Sequence, residues 1–166
     1  MSNRDEEKVY DILNKLKIQY NIYRHEPIYT IDEANQLDIN IPGQHCKNLF
    51  LRNKKGDVHY LVIVDELKQL DLKSLSEKIG CSRLSFASTK RLYKYLGVTP
   101  GSVSPFGLIN DTDNAVQVLI DKDLIGANEI NFSPNVNTAT ISISYADFEK
   151  FIKWCGNKAT YISINN

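Results

Sequence analysis

Apolar residues at Val9, Ile12, Leu13 and Leu16 recur at i, i+3, i+4 and i+7, the spacing of one face of a helix, and predict an amphipathic first helix from about Asp5 to Lys17. Tyr20 to Arg24 reads as a short strand. Thr30-Ile31-Asp32-Glu33 has capping-box spacing for a short helix through about Leu37, and Asn40 to Gln44, with Pro42 and Gly43, forms a loop. Cys46–Arg52 and Val58–Val64 flank a polar turn and predict a hairpin, whose second strand is apolar on both faces and therefore central in a sheet. Asp71 is placed to N-cap a helix bearing Leu72, Leu75 and Ile79, with Gly80 at its exit; a further helix runs from Ser88 to Leu96 and stops at Gly97. Leu108-Ile109 and Ala115–Ile120 bracket Asn110-Asp111-Thr112-Asp113-Asn114 as an expected second hairpin. Thr138–Ile143 is the last expected strand, and Ser144 opens a helix whose Tyr145, Phe148, Phe151, Ile152 and Cys155 form an inward stripe. Residues 157–166 are expected to be a tail without a legible role. With no repeat and no Pro-, Gly- or Ser-rich linker, residues 1–166 read as one α+β domain.

Composition narrows the function classes. At 166 residues the chain can bury a core of its own, and no stretch approaches the roughly 18 apolar residues that span a bilayer. The charged opening, Met1 to Lys8, lacks the apolar run of a secretory signal, so a cytoplasmic location and no membrane partner are expected. Cys46, Cys81 and Cys155 are odd in number and far apart, which argues for reduced thiols rather than a disulfide framework or a thiolate zinc site. His25, His45 and His59 lack close ligand partners, so neither metal nor cofactor is expected. No G-x-S-x-G elbow is present, and Cys46 alone is more often a packed thiol than a nucleophile. Twenty basic and twenty acidic residues cancel, which excludes nucleic-acid binding by bulk charge. Two local clusters, Arg52 with Lys54 and Lys55, and Lys90 with Arg91 and Lys94, have the charge to touch a few phosphates, although solvated turns and helix faces carry such clusters too.

Lys47 stands out because the period of two in a strand puts it on the face of Leu49 and Leu51, at the rim of an apolar surface. An ammonium there needs a reason. Gly101-Ser102-Val103-Ser104-Pro105-Phe106-Gly107 is a turn with backbone N–H groups that no regular element claims, beside an apolar Phe106. Any tight turn from helix to strand uses such residues, so the loop is weak alone; cation and loop together suggest a site for an electron-rich group.

The ordered motifs His25-Glu26-Pro27, Thr30 with Glu33-Ala34, Lys47-Asn48-Leu49-Phe50-Leu51, Arg83-Leu84-Ser85-Phe86-Ala87, Gly101 through Gly107 and Asn110-Asp111 resemble those of the free-standing prolyl-tRNA editing proteins. These are relatives of the editing domain inserted in bacterial prolyl-tRNA synthetase, in the YbaK-like superfamily, and the likeness runs from about Tyr10 to Gly156. The resemblance implies a mixed sheet with helices packed around it and a trans-acting hydrolysis of the ester joining a wrong amino acid, alanine first, to proline tRNA. Lys47 matches the family's active-site lysine, whose charge would hold a phosphate or carbonyl oxygen, and Asn48 would orient the substrate. Gly101, Ser102, Val103, Ser104, Pro105, Phe106 and Gly107 match the loop that would fix the aminoacyl carbonyl, with Val103 and Phe106 limiting the pocket. Thr30 and His25 lie in a matching early segment, where a structural hydrogen bond is an equal reading. The implied partners are the acceptor end of a mischarged proline tRNA and, further, prolyl-tRNA synthetase.

One departure stands in Phe132-Ser133-Pro134-Asn135, where the family usually has Phe-His-Pro-Asn. Ser133 bonds as donor or acceptor but does not titrate near neutral pH. It keeps open a rival reading, a non-catalytic module that binds charged tRNA or a small amino-acid ligand; an enzymatic variant acts on cysteine attached to the same tRNA.

Overall fold

Every residue from His59 to Val64 is buried, which requires neighbours on both edges and cover on both faces. The computed structural model describes residues 4–27 and 41–164 and supplies both. Four helices are described: α1 (Arg4–Lys15), α2 (Leu72–Ile79), α3 (Thr89–Leu96) and α4 (Tyr145–Cys155). The strands are β1 (Asn21–Arg24), β2 (Gln44–Arg52), β3 (His59–Asp65), β4 (Ser85–Phe86), β5 (Val116–Asp121), β6 (Ile130–Phe132), β7 (Ala139–Ile143) and β8 (Ala159–Ile162). They form one mixed sheet in the order β1-β7-β6-β2-β3-β5-β8, with β4 added to β2. The expected short helix from Thr30 to Leu37 lies outside the described residues.

Alternation along β3 divides the core. Leu61 and Ile63 join Phe50, Val118 and Ile120 in the larger cluster, under α1, α3 and α4. Tyr60, Val62 and Val64 face the other way with Leu51 and Leu119, under Leu75 of α2. The helix ends are set locally, and all but Gly156 are where the sequence predicts. Asp71, Ser88 and Ser144 accept the N–H groups of Lys73, Arg91 and Asp147, while Gly80, Gly97 and Gly156 close the C-termini in the left-handed region.

Two expectations are corrected. Leu108-Ile109 is no strand: it lies in a 3-10 helix, Pro105–Asn110, docked on α3 by Asn110 Nδ2 donating to the Leu96 carbonyl at 2.8 Å. The turn after it is real, with the Asp111 carboxylate accepting the N–H groups of Ala115 (3.1 Å) and Val116 (2.9 Å), but it launches β5 into parallel pairing with β3 and β8. Thr138–Ile143 is likewise not the last strand. Ala159–Ile162, in the presumed tail, closes the sheet beside β5, and Ile164 is buried in the smaller cluster.

Candidate active site

β2 belongs to two neighbourhoods. Its first residues pair in parallel with β6, Gln44 with Ile130 and His45 with Asn131; from Cys46 onward it pairs with β3. β6 ends at Phe132 and β4 meets β2 only at Leu51 and Arg52, so among the described residues no strand covers that edge of β2 between them. A crevice opens where a strand ends and its neighbour departs.

Asn48 faces the larger core, opposite Ile63 and next but one to Phe50, and its Oδ1 is sealed from solvent without a hydrogen-bond partner. Asn135, 5% exposed and in the left-handed region at φ 62°, donates from Nδ2 to the Phe106 carbonyl at 3.3 Å, while its Oδ1 is also unpartnered. A buried oxygen without a donor costs about 1–3 kcal/mol, so each is a place where a donor brought by a ligand would be favoured. The remaining orphan among the described residues, Asn157 Oδ1, belongs to a separate network in which Nδ2 donates to Asp111 and to the Val116 carbonyl, each at 2.8 Å. Asn135 is the residue the sequence reading left out of the site. Its signal was an Asn three positions beyond the end of an apolar strand, after Ser-Pro, where a left-handed turn residue is expected.

The glycine-proline loop is tightly held. The Ser102 N–H donates to the Thr99 carbonyl at 2.9 Å, the Phe106 N–H to Ser104 Oγ at 3.0 Å and the Gly107 N–H to the Ser104 carbonyl at 3.0 Å. Those three donors, expected free, are committed inside the loop. The Phe106 ring is 1% exposed and meets Phe151 and Phe132 edge-on at 5.0 and 6.0 Å, so it anchors the loop from below while its carbonyl meets Asn135. Ser102, Ser104, Pro105 and Gly107 are buried; Gly101 and Val103 are the half-buried members. A Cβ on Gly107 would lie 2.9 Å from Leu96 Cβ and 3.2 Å from its carbonyl oxygen, so only glycine permits this approach to α3.

Lys47 is half-buried and has no hydrogen-bond or ion-pair partner among the described residues. Alternation directs it, with Leu49 and Val64, to the opposite face of β2 from Asn48. Asn48 thus shares the larger-core face with Phe106, whose carbonyl meets Asn135, whereas Lys47 lies on the opposite face, so strand alternation does not bring Lys47 and the loop to one face. Ser133, the first residue beyond β6, is half-buried, without a described partner. His25 has both ring nitrogens engaged, Nδ1 with the Glu26 carbonyl at 2.8 Å and Nε2 with Thr140 Oγ1 at 2.9 Å, and its N–H donates to the Thr138 carbonyl at 3.0 Å. It fastens β1 to the end of the Ser133–Thr138 turn. Thr30 lies outside the described residues. Burial, followed by the charges of Asp65, Glu66 and Asp121, pushes the Cys46 thiol far above its ordinary range, which leaves it a poor nucleophile. Among the described residues no three His, Cys, Asp or Glu side chains are grouped to hold a metal ion, and no helix is long and apolar enough to cross a membrane.

Comparison with known proteins identifies the family and the fold. The family model for the aminoacyl-tRNA editing domain matches residues 25–151. The chain is 49% identical over 145 residues to the prolyl-tRNA editing protein ProX of Acetoanaerobium sticklandii, covering 87% of this chain and 88% of that one. It is 32% identical over 145 residues to prolyl-tRNA synthetase associated domain-containing protein 1 of Danio rerio, covering 86% and 78%. A solved structure described as a candidate trans-editing enzyme for prolyl-tRNA synthetase shares the fold at a TM-score of 0.74 and 19% identity, covering 100% of this chain and 99% of its own. By that match and that identity, the chain belongs to the aminoacyl-tRNA editing domain family.

Proposed function

We propose that this protein is a trans-acting aminoacyl-tRNA deacylase that hydrolyses the ester joining a small wrong amino acid, alanine first, to proline tRNA. The observation that carries the reading is the pair of unpartnered carboxamide oxygens, on Asn48 and Asn135, beside the loop. Neutral acceptors at that place suit the α-ammonium of the amino acid and a ribose hydroxyl, the donors an aminoacyl adenosine offers. Water adds to the ester carbon, the resulting oxyanion collapses, and the carbon–oxygen bond to the ribose breaks as that oxygen takes a proton. The ester is already activated, so positioning and charge stabilisation are sufficient and no protein general base is needed. In this reading Lys47 supplies the positive charge at the open edge, toward a phosphate or the carbonyl oxygen. Val103, half-buried on the loop, limits the space for the amino-acid side chain. A synthetase pocket shaped for proline rejects a smaller residue weakly, each missing methylene being worth about 1–3 kcal/mol, which is why a second, smaller sieve is useful. Such a factor works in the cytoplasm beside prolyl-tRNA synthetase.

The test is a deacylation time course on proline tRNA charged in turn with alanine, cysteine and proline. Rapid loss of alanine with proline retained is expected; faster loss of cysteine would reassign the substrate. Ser133 favours a second reading, a binding module without turnover, because no titratable group stands at that position. Saturable binding of alanyl-tRNA with no hydrolysis would establish it.

A further inference from the structure

Two basic clusters that are separate in the sequence form one surface in the fold. Arg91 Nη1, on α3, donates to the Gly56 carbonyl in the β2–β3 turn at 2.9 Å and lies 3.1 Å from His59 Nε2. Lys54 N–H donates to Ser82 Oγ at 3.3 Å, which sets Arg83 beside the same turn. The surroundings are poor in acid. No carboxylate occurs from His45 to Gly56 or from Lys78 to Asn110, although the whole chain balances twenty basic with twenty acidic residues. The acid in the turn, Asp57, accepts from Asn53 Nδ2 at 2.8 Å and lies 3.8 Å from Lys55. His59 reports the field: burial lowers its pKa, and the charges of Arg91, Arg52 and Lys94 lower it further.

Shape and composition fit a polyanion with stacking groups. Lys90, Tyr93 and Lys94 stand at i, i+3 and i+4 on the exposed face of α3, and Tyr93 is 66% exposed. Both elements of the surface lead to the candidate site. α3 passes through Gly97 into the loop that Gly107 seats on Leu96. β2 runs from Asn48 to Arg52, roughly 13 Å along an extended strand. A chain whose 3′ end occupied the crevice would carry its phosphates across this face.

We propose that Lys54, Lys55, Lys90 and Lys94, with Tyr93, hold the phosphate backbone of the RNA acceptor stem while its aminoacylated end occupies the site. This rests on the deacylase reading for what enters the crevice. RNA duplexes are held through shape and phosphates, and each neutralised phosphate releases counterions, so the contact has a salt signature.

The test replaces exposed lysines only, as Lys54→Gln, Lys90→Gln and Lys94→Gln in one protein. Affinity for uncharged proline tRNA is measured against potassium chloride concentration. Hydrolysis is measured on alanyl-tRNA and on the alanyl ester of the terminal CCA trinucleotide, which has no stem. The expected result is a salt dependence shallower by about two to three in log–log slope and a KM for alanyl-tRNA raised on the order of tenfold. The trinucleotide ester is cleaved at the parent rate. An unchanged slope and KM would overturn the docking surface and leave the deacylase reading intact wherever the trinucleotide ester is still cleaved. Loss of tRNA affinity in the variant, with neither protein cleaving any ester, would uphold the surface and remove the deacylase reading.

Discussion

Replacing Asn48 by leucine should make the protein more stable and inactive. The Asn48 carboxamide points into a core that holds Phe50, Ile63 and Ile120, and its Oδ1 has no donor. Leaving such an oxygen dry and unpaired costs about 1–3 kcal/mol, a cost that leucine, of similar length and wholly apolar, does not incur. Added packing against Phe50 and Ile63 works in the same direction, and the bulkier methyl groups on a tetrahedral rather than planar Cγ subtract part of the gain. The net expectation is a stabilisation of about 1–2 kcal/mol, which at this chain length raises Tm by roughly 2–4 °C per kcal/mol. Urea unfolding with an unchanged m-value measures it, and deacylation of alanyl-tRNA on the same preparation should fall by at least about 10²-fold, as when one positioned polar group is lost from an acyl-transfer site. A variant destabilised by more than about 1 kcal/mol that still cleaves alanyl-tRNA at the parent rate would refute the reasoning, for the amide would then be a structural partner.

Lys47→Ala should lower deacylation by about 10²–10³-fold and change unfolding free energy by less than about 0.5 kcal/mol, since the ammonium has no described partner to lose; near-parent rates would remove it from the site. Ser133→His should raise the rate and add a pH dependence near the imidazole range, whereas an unchanged profile would make the departure from the family incidental. Gly107→Ala should cost about 1–3 kcal/mol in urea unfolding, because its Cβ would stand 2.9 Å from Leu96 Cβ and 3.2 Å from an immobile carbonyl oxygen; a neutral result would show that α3 yields. Stability should also fall as pH drops below about 6.5. His59, made harder to protonate in the fold by burial and by the charges of Arg91, Arg52 and Lys94, takes up a proton more readily once unfolded, so the unfolded state binds more protons in that window. Unfolding free energies at pH 7.5 and 5.5 check this: His59→Phe should lose less than the parent, and equal losses would contradict it.

The features that local chemistry decides were legible in the sequence. Asp71, Ser88 and Ser144 announce helix starts and Gly80 and Gly97 announce stops, because a cap is made within a few residues of itself; Gly156 makes the same kind of stop in the structure. The apolar run of β3 announced a central strand for the same kind of reason. What depends on distant partners was not legible. β5 looks like the return arm of a hairpin until β3 and β8 are known to flank it in parallel, and β8 is four residues whose role exists only beside β5. The site divides the same way. Lys47 was conspicuous as a cation in an apolar strand and the loop by its glycines and proline, while Asn48 entered only through the family resemblance. Phe106 read as a pocket wall because sequence does not show that Phe132 and Phe151 close around it. Asn135 passed unnoticed because an orphaned oxygen is a property of the folded surroundings.

The account stands on one place, the open edge of β2 between the end of β6 and the start of β4, as the seat of the aminoacyl group. A co-crystal structure with a non-hydrolysable amide analogue of 3′-alanyl-adenosine tests it directly. The ammonium and ribose hydroxyl should lie within hydrogen-bond distance of Asn48 Oδ1 and Asn135 Oδ1, with the alanyl methyl against Val103. Density for the analogue elsewhere on the protein, with both carboxamides still unpartnered, would contradict it.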